Sequence, residues 1–347
     1  MIGWGRNSAA VRPGRQARAS TTAARLGVLG LCLATIAPFA SSAATFQEDF
    51  SSDPIARGWG ITGNADLFHW NATNQTLEVT WDSAQANSYF YWLLGPTLAS
   101  SDDFAFAFDL VLADVAVGVN PQKSFTFEIA AGLLNLQSAL NSDWQRGSGV
   151  NASHGPRNLV EFDYFPDSGY GATVSPTMVS SNNQFAVGFD FPLEMDAGAR
   201  FHIALSYTAG NKTLSTAMTR NGQPFGPIQD VVLSADFTDF RLDHFAISSY
   251  SDAGADGSLL AHGVVDNITI TTPPPPILNM AGQFTNLSWQ VQFLSRTNWR
   301  YTLERTIDFQ SWTDLLPALD GTGSNLYFLD TTPPPAKAFY RVRAERP

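Results

Sequence analysis

Apolar and polar residues alternate with period two along most of the chain, the pattern of strands that bury one face. The pattern is clearest in Leu77-Glu-Val-Thr-Trp81, Phe104-Ala-Phe-Ala-Phe-Asp-Leu110, Ser124-Phe-Thr-Phe-Glu-Ile129 and Leu159-Val-Glu-Phe-Asp-Tyr-Phe165. It returns in Phe185-Ala-Val-Gly-Phe-Asp-Phe191, Phe201-His-Ile-Ala-Leu-Ser-Tyr207, Phe240–Ile247 and Val264–Ile270. Gly210-Asn211 predicts a hairpin between 201–208 and 212–220, and Asn221-Gly222 supplies the next turn. Only Ala130–Leu140 reads as a helix. About a dozen strands before residue 272 predict two packed antiparallel sheets, a large sandwich. Four more strands, at 287–291, 301–305, 326–330 and 339–343, suit a small immunoglobulin-like sandwich. The fold class expected is therefore all-β, with a large sandwich followed by a small one.

The punctuation divides the chain. Thr271-Thr-Pro-Pro-Pro-Pro276 suits a semi-rigid spacer, with a linker at 273–276 between residues 45–272 and 277–347. At the other end, residues 1–25 carry Arg6, Arg12, Arg15, Arg18 and Arg25 and no acid. The apolar run Leu26–Ala37 and the small residues to Ala44 follow, so residues 1–44 read as a secretory signal cleaved near Ala44. The apolar run is shorter than the roughly 20 residues of a membrane span. The sole cysteine, Cys32, lies in this leader, so a mature chain would have no disulfide and no thiolate chemistry. A secreted, extracellular or cell-surface location is expected.

Charge sharpens the division. The whole chain has a formal net charge of −11. Residues 45–272 hold 8 basic and 25 acidic residues, whereas 273–347 hold 7 and 6. A domain at −17 is a poor partner for nucleic acid or acidic polysaccharide, because phosphate and carboxylate contacts need Lys and Arg.

Residues 45–272 resemble the concanavalin A-like lectin/glucanase superfamily. The resemblance is carried by Phe46-Gln-Glu-Asp-Phe50, Val160-Glu-Phe-Asp-Tyr-Phe-Pro166, the hairpin 200–222 and Val265-Asp-Asn-Ile-Thr269. It implies a jelly roll that presents one concave face to glycans, in proteins that include lectins, glucanases and lyases. The small domain resembles the fibronectin- or immunoglobulin-like C-terminal modules of secreted bacterial proteins through Tyr301, Asp308–Trp312, Gly321–Gly323 and Phe339–Val342.

Glu161 and Asp163 share a strand at i and i+2, so their carboxylates stand on one face. The resembling glucanases carry Glu-x-Asp-x-Glu, but the third position here is Phe165, which can neither attack nor move a proton. The resembling lectins bind metal on this strand, which makes Glu161, Asp163 and Asp167 candidate calcium ligands. Glu48 or Asp49 with Asp266, on first and last strands that this fold places side by side, form a second candidate set. Sugar stacking needs flat apolar rings beside hydrogen-bonding groups. Trp70, Trp144, Asn71 and Tyr164 are the candidates, Trp70 and Trp144 because their polar neighbours suggest loops.

The functional expectation is a secreted, non-catalytic protein that binds a neutral polysaccharide, with Ca²⁺ as its candidate cofactor. A hydrolase or lyase with a departed motif, and a structural or adhesive surface protein, are the alternatives. An exposed aromatic strip on the glycan-facing sheet separates binding from the purely adhesive reading.

Overall fold

The computed structural model describes residues 43–146 and 155–347. Nearly all of the expected leader, with Cys32, lies outside these residues, and so does His154. Ser41–Pro347 form one unit, and its described part contains two sandwiches with separate cores.

The first sandwich is an antiparallel jelly roll of two sheets. One sheet runs in the order Gln223–Phe225, Thr213–Arg220, Arg200–Thr208, Phe104–Val117, Leu259–Thr272, Thr76–Asp82, Phe68–Asn71. Ala44–Glu48 also pairs with Leu259–Thr272, so the first and last strands of this sandwich are neighbours. The second sheet has seven strands: Phe185–Val187, Thr173–Val179, Leu159–Phe165, Ile129–Leu134, Leu242–Ser249, Ser88–Leu98 and Gly60–Thr62. Alternation sends Phe106 and Phe108 of one sheet onto Phe245 and Phe162 of the other, with ring centroids 5.8 and 5.9 Å apart. These rings belong to the larger buried cluster that carries the hydrophobic stabilisation of this sandwich.

The helix expected over Ala130–Leu140 is mostly a strand. Ile129–Leu134 lies in the middle of the seven-stranded sheet, and only Leu136–Ala139 is helical, capped by Asn135 accepting from Ser138 N at 2.8 Å. A continuous apolar run buried on both faces looks alike as helix or strand, and pairing partners decide between them. The strand expected at Ser124–Ile129 begins only at Ile129.

The small sandwich packs a three-stranded sheet (Ile277–Thr285, Ser288–Ser295, Asn325–Asp330) against one built on Arg300–Thr306. Val291, Phe293, Tyr301, Leu303 and Phe328 form its core. The prolines before it do not hold it at a distance. Arg296 donates to Pro274 O at 2.7 Å and to Asp102 Oδ1 at 3.0 Å, and the Arg346 guanidinium reaches Asp102 Oδ2 and Thr97 O.

Candidate functional site

The register of the seven-stranded sheet defines its outer face, the one turned away from the other sheet. Phe162 packs on Phe108 in the core, so its neighbours Glu161 and Asp163 point outward. Across the sheet, Glu161 faces Thr177 on one side and Gly132 on the other, and Asp163 faces Ser175 and Ala130. A Cβ on Gly132 would stand 2.4 Å from Glu161 Cα and Val160 O, so only glycine fits opposite Glu161.

Both carboxylates point outward and both are buried, with the Arg146 side chain lying against them. Arg146 donates Nε to Glu161 Oε1 at 2.8 Å and Nη2 to Asp163 Oδ2. Tyr250 donates to Glu161 Oε2 at 2.7 Å, and Thr177 Oγ1 donates to Asp163 Oδ2 at 2.7 Å. A third buried acid, Glu128, lies 3.5 Å from Arg146 Nε. Glu128 Oε1 and Asp163 Oδ1 accept no hydrogen bond among the described residues. Trp144 covers this cluster, tilted on Tyr250 at 5.3 Å and edge-on to Tyr89 at 6.4 Å.

Three carboxylates against one guanidinium leave excess negative charge out of water. Burial pushes Glu128 up to about 7, partly opposed by Arg146 and reinforced by Asp163. Burial also raises Glu161, with Asp163 adding to the shift and Arg146 opposing it. A raised acid binds its proton more tightly in the folded chain, so its stabilisation is complete below the unfolded pKa and is lost as pH rises through the folded one. Stability should therefore fall between about pH 4.5 and 7. Glu128→Gln should flatten that slope and raise stability at pH 8, as read by urea unfolding at a series of pH values. An unchanged slope would mean that Glu128 does not titrate there.

The metal sets inferred from the sequence do not assemble. Arg146 occupies the space between Glu161 and Asp163, while Asp167 sits in an exposed turn, its Oδ1 accepting from Gly169 N at 3.1 Å. Glu48 accepts from Phe50 N at 2.6 Å and Trp59 Nε1 at 2.8 Å and pairs with Arg57, while Asp49 accepts from Ser51 N at 3.0 Å. Asp266, opposite Asp109, accepts from Asn267 N at 2.7 Å, and Asp109 is taken by Arg200 and His202. No group of three His, Cys, Asp or Glu among the described residues could hold a metal ion. Ca²⁺ needs 6–8 oxygens, so the residues present do not fit it at either place.

The sugar-stacking candidates also need correction. Trp144 and Tyr164 are core residues, 1% and 2% exposed, with Tyr164 OH accepting from Met195 N at 3.0 Å. Trp70 is half-buried and donates Nε1 to Phe50 O at 2.9 Å. Asn71 closes a turn, accepting from Thr73 N at 2.9 Å and donating to Glu78 at 2.6 Å. Polar neighbours suggest loops at Trp70 and Trp144, but all four side chains complete the scaffold.

The exposed rings of this face lie at its edge. Val187 pairs with Thr177, and Asp190 bridges Val174 and is buried, accepting from Gln229 N at 3.1 Å. Alternation therefore puts Phe185, Val187, Phe189 and Phe191 on the outer face. Phe189 and Phe191 are 61% and 50% exposed, and Tyr170, 75% exposed, packs on Phe191 at 5.4 Å. The strip was visible as an alternation, and the buried Asp190 is what inverts its faces.

Neither a protein-family model nor a curated protein matches the sequence. Among solved structures the chain is similar to peanut lectin at 16% identity, with a TM-score of 0.40 over 65% of this chain and 98% of that one. It is similar to a UEA-II lectin complexed with galactose at 15% identity, with a TM-score of 0.43 over 66% and 98%. A Bacillus subtilis protein of unknown function with a galectin-like fold is matched at 8% identity, TM-score 0.36, over 66% and 96%.

Proposed function

We propose that the chain is a secreted, non-catalytic carbohydrate-binding protein that recognises a neutral polysaccharide. The observation that carries this is the exposed strip Phe189–Phe191 with Tyr170 packed beside it, on the outer face of the seven-stranded sheet. Soluble proteins seldom leave three large rings together in water without a ligand for them. Pyranose rings offer C–H faces that stack on such rings. The surplus of acids in this sandwich repels polyanions and leaves neutral chains as the fitting class. Glu161 and Asp163 cannot serve as a hydrolytic pair while both are buried against Arg146.

Affinity-gel electrophoresis on neutral polysaccharides tests the reading. Tyr170→Ala with Phe191→Ala should weaken retardation about 10-fold, equivalent to some 1.4 kcal/mol. EDTA should change nothing, and reducing-end and unsaturated-product assays should stay at background. Retardation on no glycan would sink the proposal.

A further inference from the structure

The small sandwich turns a second flat surface to solvent. Its three-stranded sheet buries Val291, Phe293 and Phe328 on one side. Alternation places Gln290, Gln292, Tyr327 and Leu329 on the other. The register sets these in two rows: Gln283 opposite Gln290 opposite Leu329, and Ala281 opposite Gln292 opposite Tyr327. The rows lie about 7 Å apart along the strands, and neighbours within a row about 5 Å apart. Tyr327 and Leu329 are about half exposed, and a shallow hollow opens over Ala281, Gly282 and the three glutamines.

The chemistry of this grid is unusual for an exposed sheet. It carries no Asp, Glu, Lys or Arg. The three glutamine side chains make no hydrogen bond among the described residues. Each amide offers two donors and an acceptor, which matches hydroxyl groups that both donate and accept. Tyr327 supplies a ring beside Gln292 for a C–H face. An uncharged face gives no purchase to phosphates, carboxylates or basic peptides, whereas a neutral, hydroxyl-rich chain needs none.

We propose that this face of the small sandwich is a second contact site for neutral polysaccharide, separate from the aromatic strip. It takes only its ligand class from the function proposed above. Two sites on one chain make binding to a polymer bivalent, and avidity then exceeds either affinity.

The test uses four full-length proteins in gels of hydroxyethylcellulose, laminarin, galactomannan or xylan, with polygalacturonate as the anionic control. They are the parent, Tyr170→Ala/Phe191→Ala, Gln292→Ala/Tyr327→Ala, and the combination. Every altered residue is exposed, so thermal midpoints should stay within about 2 °C. Each pair should lower apparent affinity about 10-fold, and the combination should remove retardation. If Gln292→Ala/Tyr327→Ala binds like the parent while the strip variant does not bind, the second site is overturned and the strip stands. If only the Gln292/Tyr327 pair matters, the strip falls and this face stands. A parent that no gel retards sinks both. A Gln292/Tyr327 variant that sediments as a smaller species yet is retarded normally makes the face a self-association surface, and the proposal fails.

Discussion

Replacing Arg146 with methionine should lower the unfolding free energy by about 3–5 kcal/mol at pH 8, the cost of removing one partner from a buried ionic cluster. Arg146 is the counter-charge of Glu161 and Asp163 and lies 3.5 Å from Glu128. Without it, Tyr250 and Thr177 remain as donors to these carboxylates. Methionine keeps an apolar stem but supplies no charge. Losing the cation removes the opposing charge that limits the rise at Glu128 and Glu161, so the deficit should grow as pH rises and shrink as it falls. Urea unfolding at pH 5 and pH 8 reads both quantities. Equal stability of variant and parent at pH 8 would show that the cluster does not depend on Arg146. Glu128→Gln should move stability the other way, which separates loss of charge balance from simple loss of packing.

This cluster marks where sequence reading stops. The pairing of Glu161 with Asp163 on one strand face was legible, because a strand has a fixed period of two. Their partner was not. Arg146 lies 15 residues from Glu161, and nothing in the local pattern says that its guanidinium reaches back to that strand. The same carboxylate pair that implied a cation by resemblance is served here by a guanidinium. Strand positions follow from the alternation where one face is polar, as at Arg200–Thr208, although the alternating Ser124–Glu128 is not a strand. They were misread at Ile129–Leu134, whose residues are all buried and so carry no period. The strip Phe185–Phe191 shows a subtler failure. Its alternation was correct, but a sheet edge can turn its larger residues outward and keep Ala186, Gly188 and Asp190 within. The polar neighbours of Trp70 and Trp144 suggest loops, yet each indole donates to a carbonyl distant in sequence, Phe50 O for Trp70 and Arg157 O for Trp144, which ties it into the scaffold.

Removing the Asp102 carboxylate should uncouple the two sandwiches. The run Pro273–Pro276 reads as a spacer, yet Asp102 receives Arg296 from the small sandwich and Arg346 from the chain's last residues. Both Asp102 and Arg346 are buried at this junction, with the Arg346 guanidinium 4.8 Å from the Trp299 ring centroid. Ala99 N also donates to Asp102 Oδ2 at 3.0 Å, which holds the carboxylate in place. Asp102→Ala leaves two covered guanidinium groups without their acid, a cost of about 3–5 kcal/mol that undocking relieves by returning them to water. The parent should unfold in one thermal transition and the variant in two, with a larger radius of gyration in solution scattering and faster proteolysis near residues 271–276. A single transition with unchanged dimensions would show that apolar packing alone holds the junction. The same change touches neither the Tyr170–Phe191 pair nor the Gln292–Tyr327 face. A docked pair of sites presents itself to a polysaccharide at one spacing, whereas a tethered pair samples many. Asp102→Ala should therefore alter retardation in dense gels while leaving affinity for short oligosaccharides unchanged.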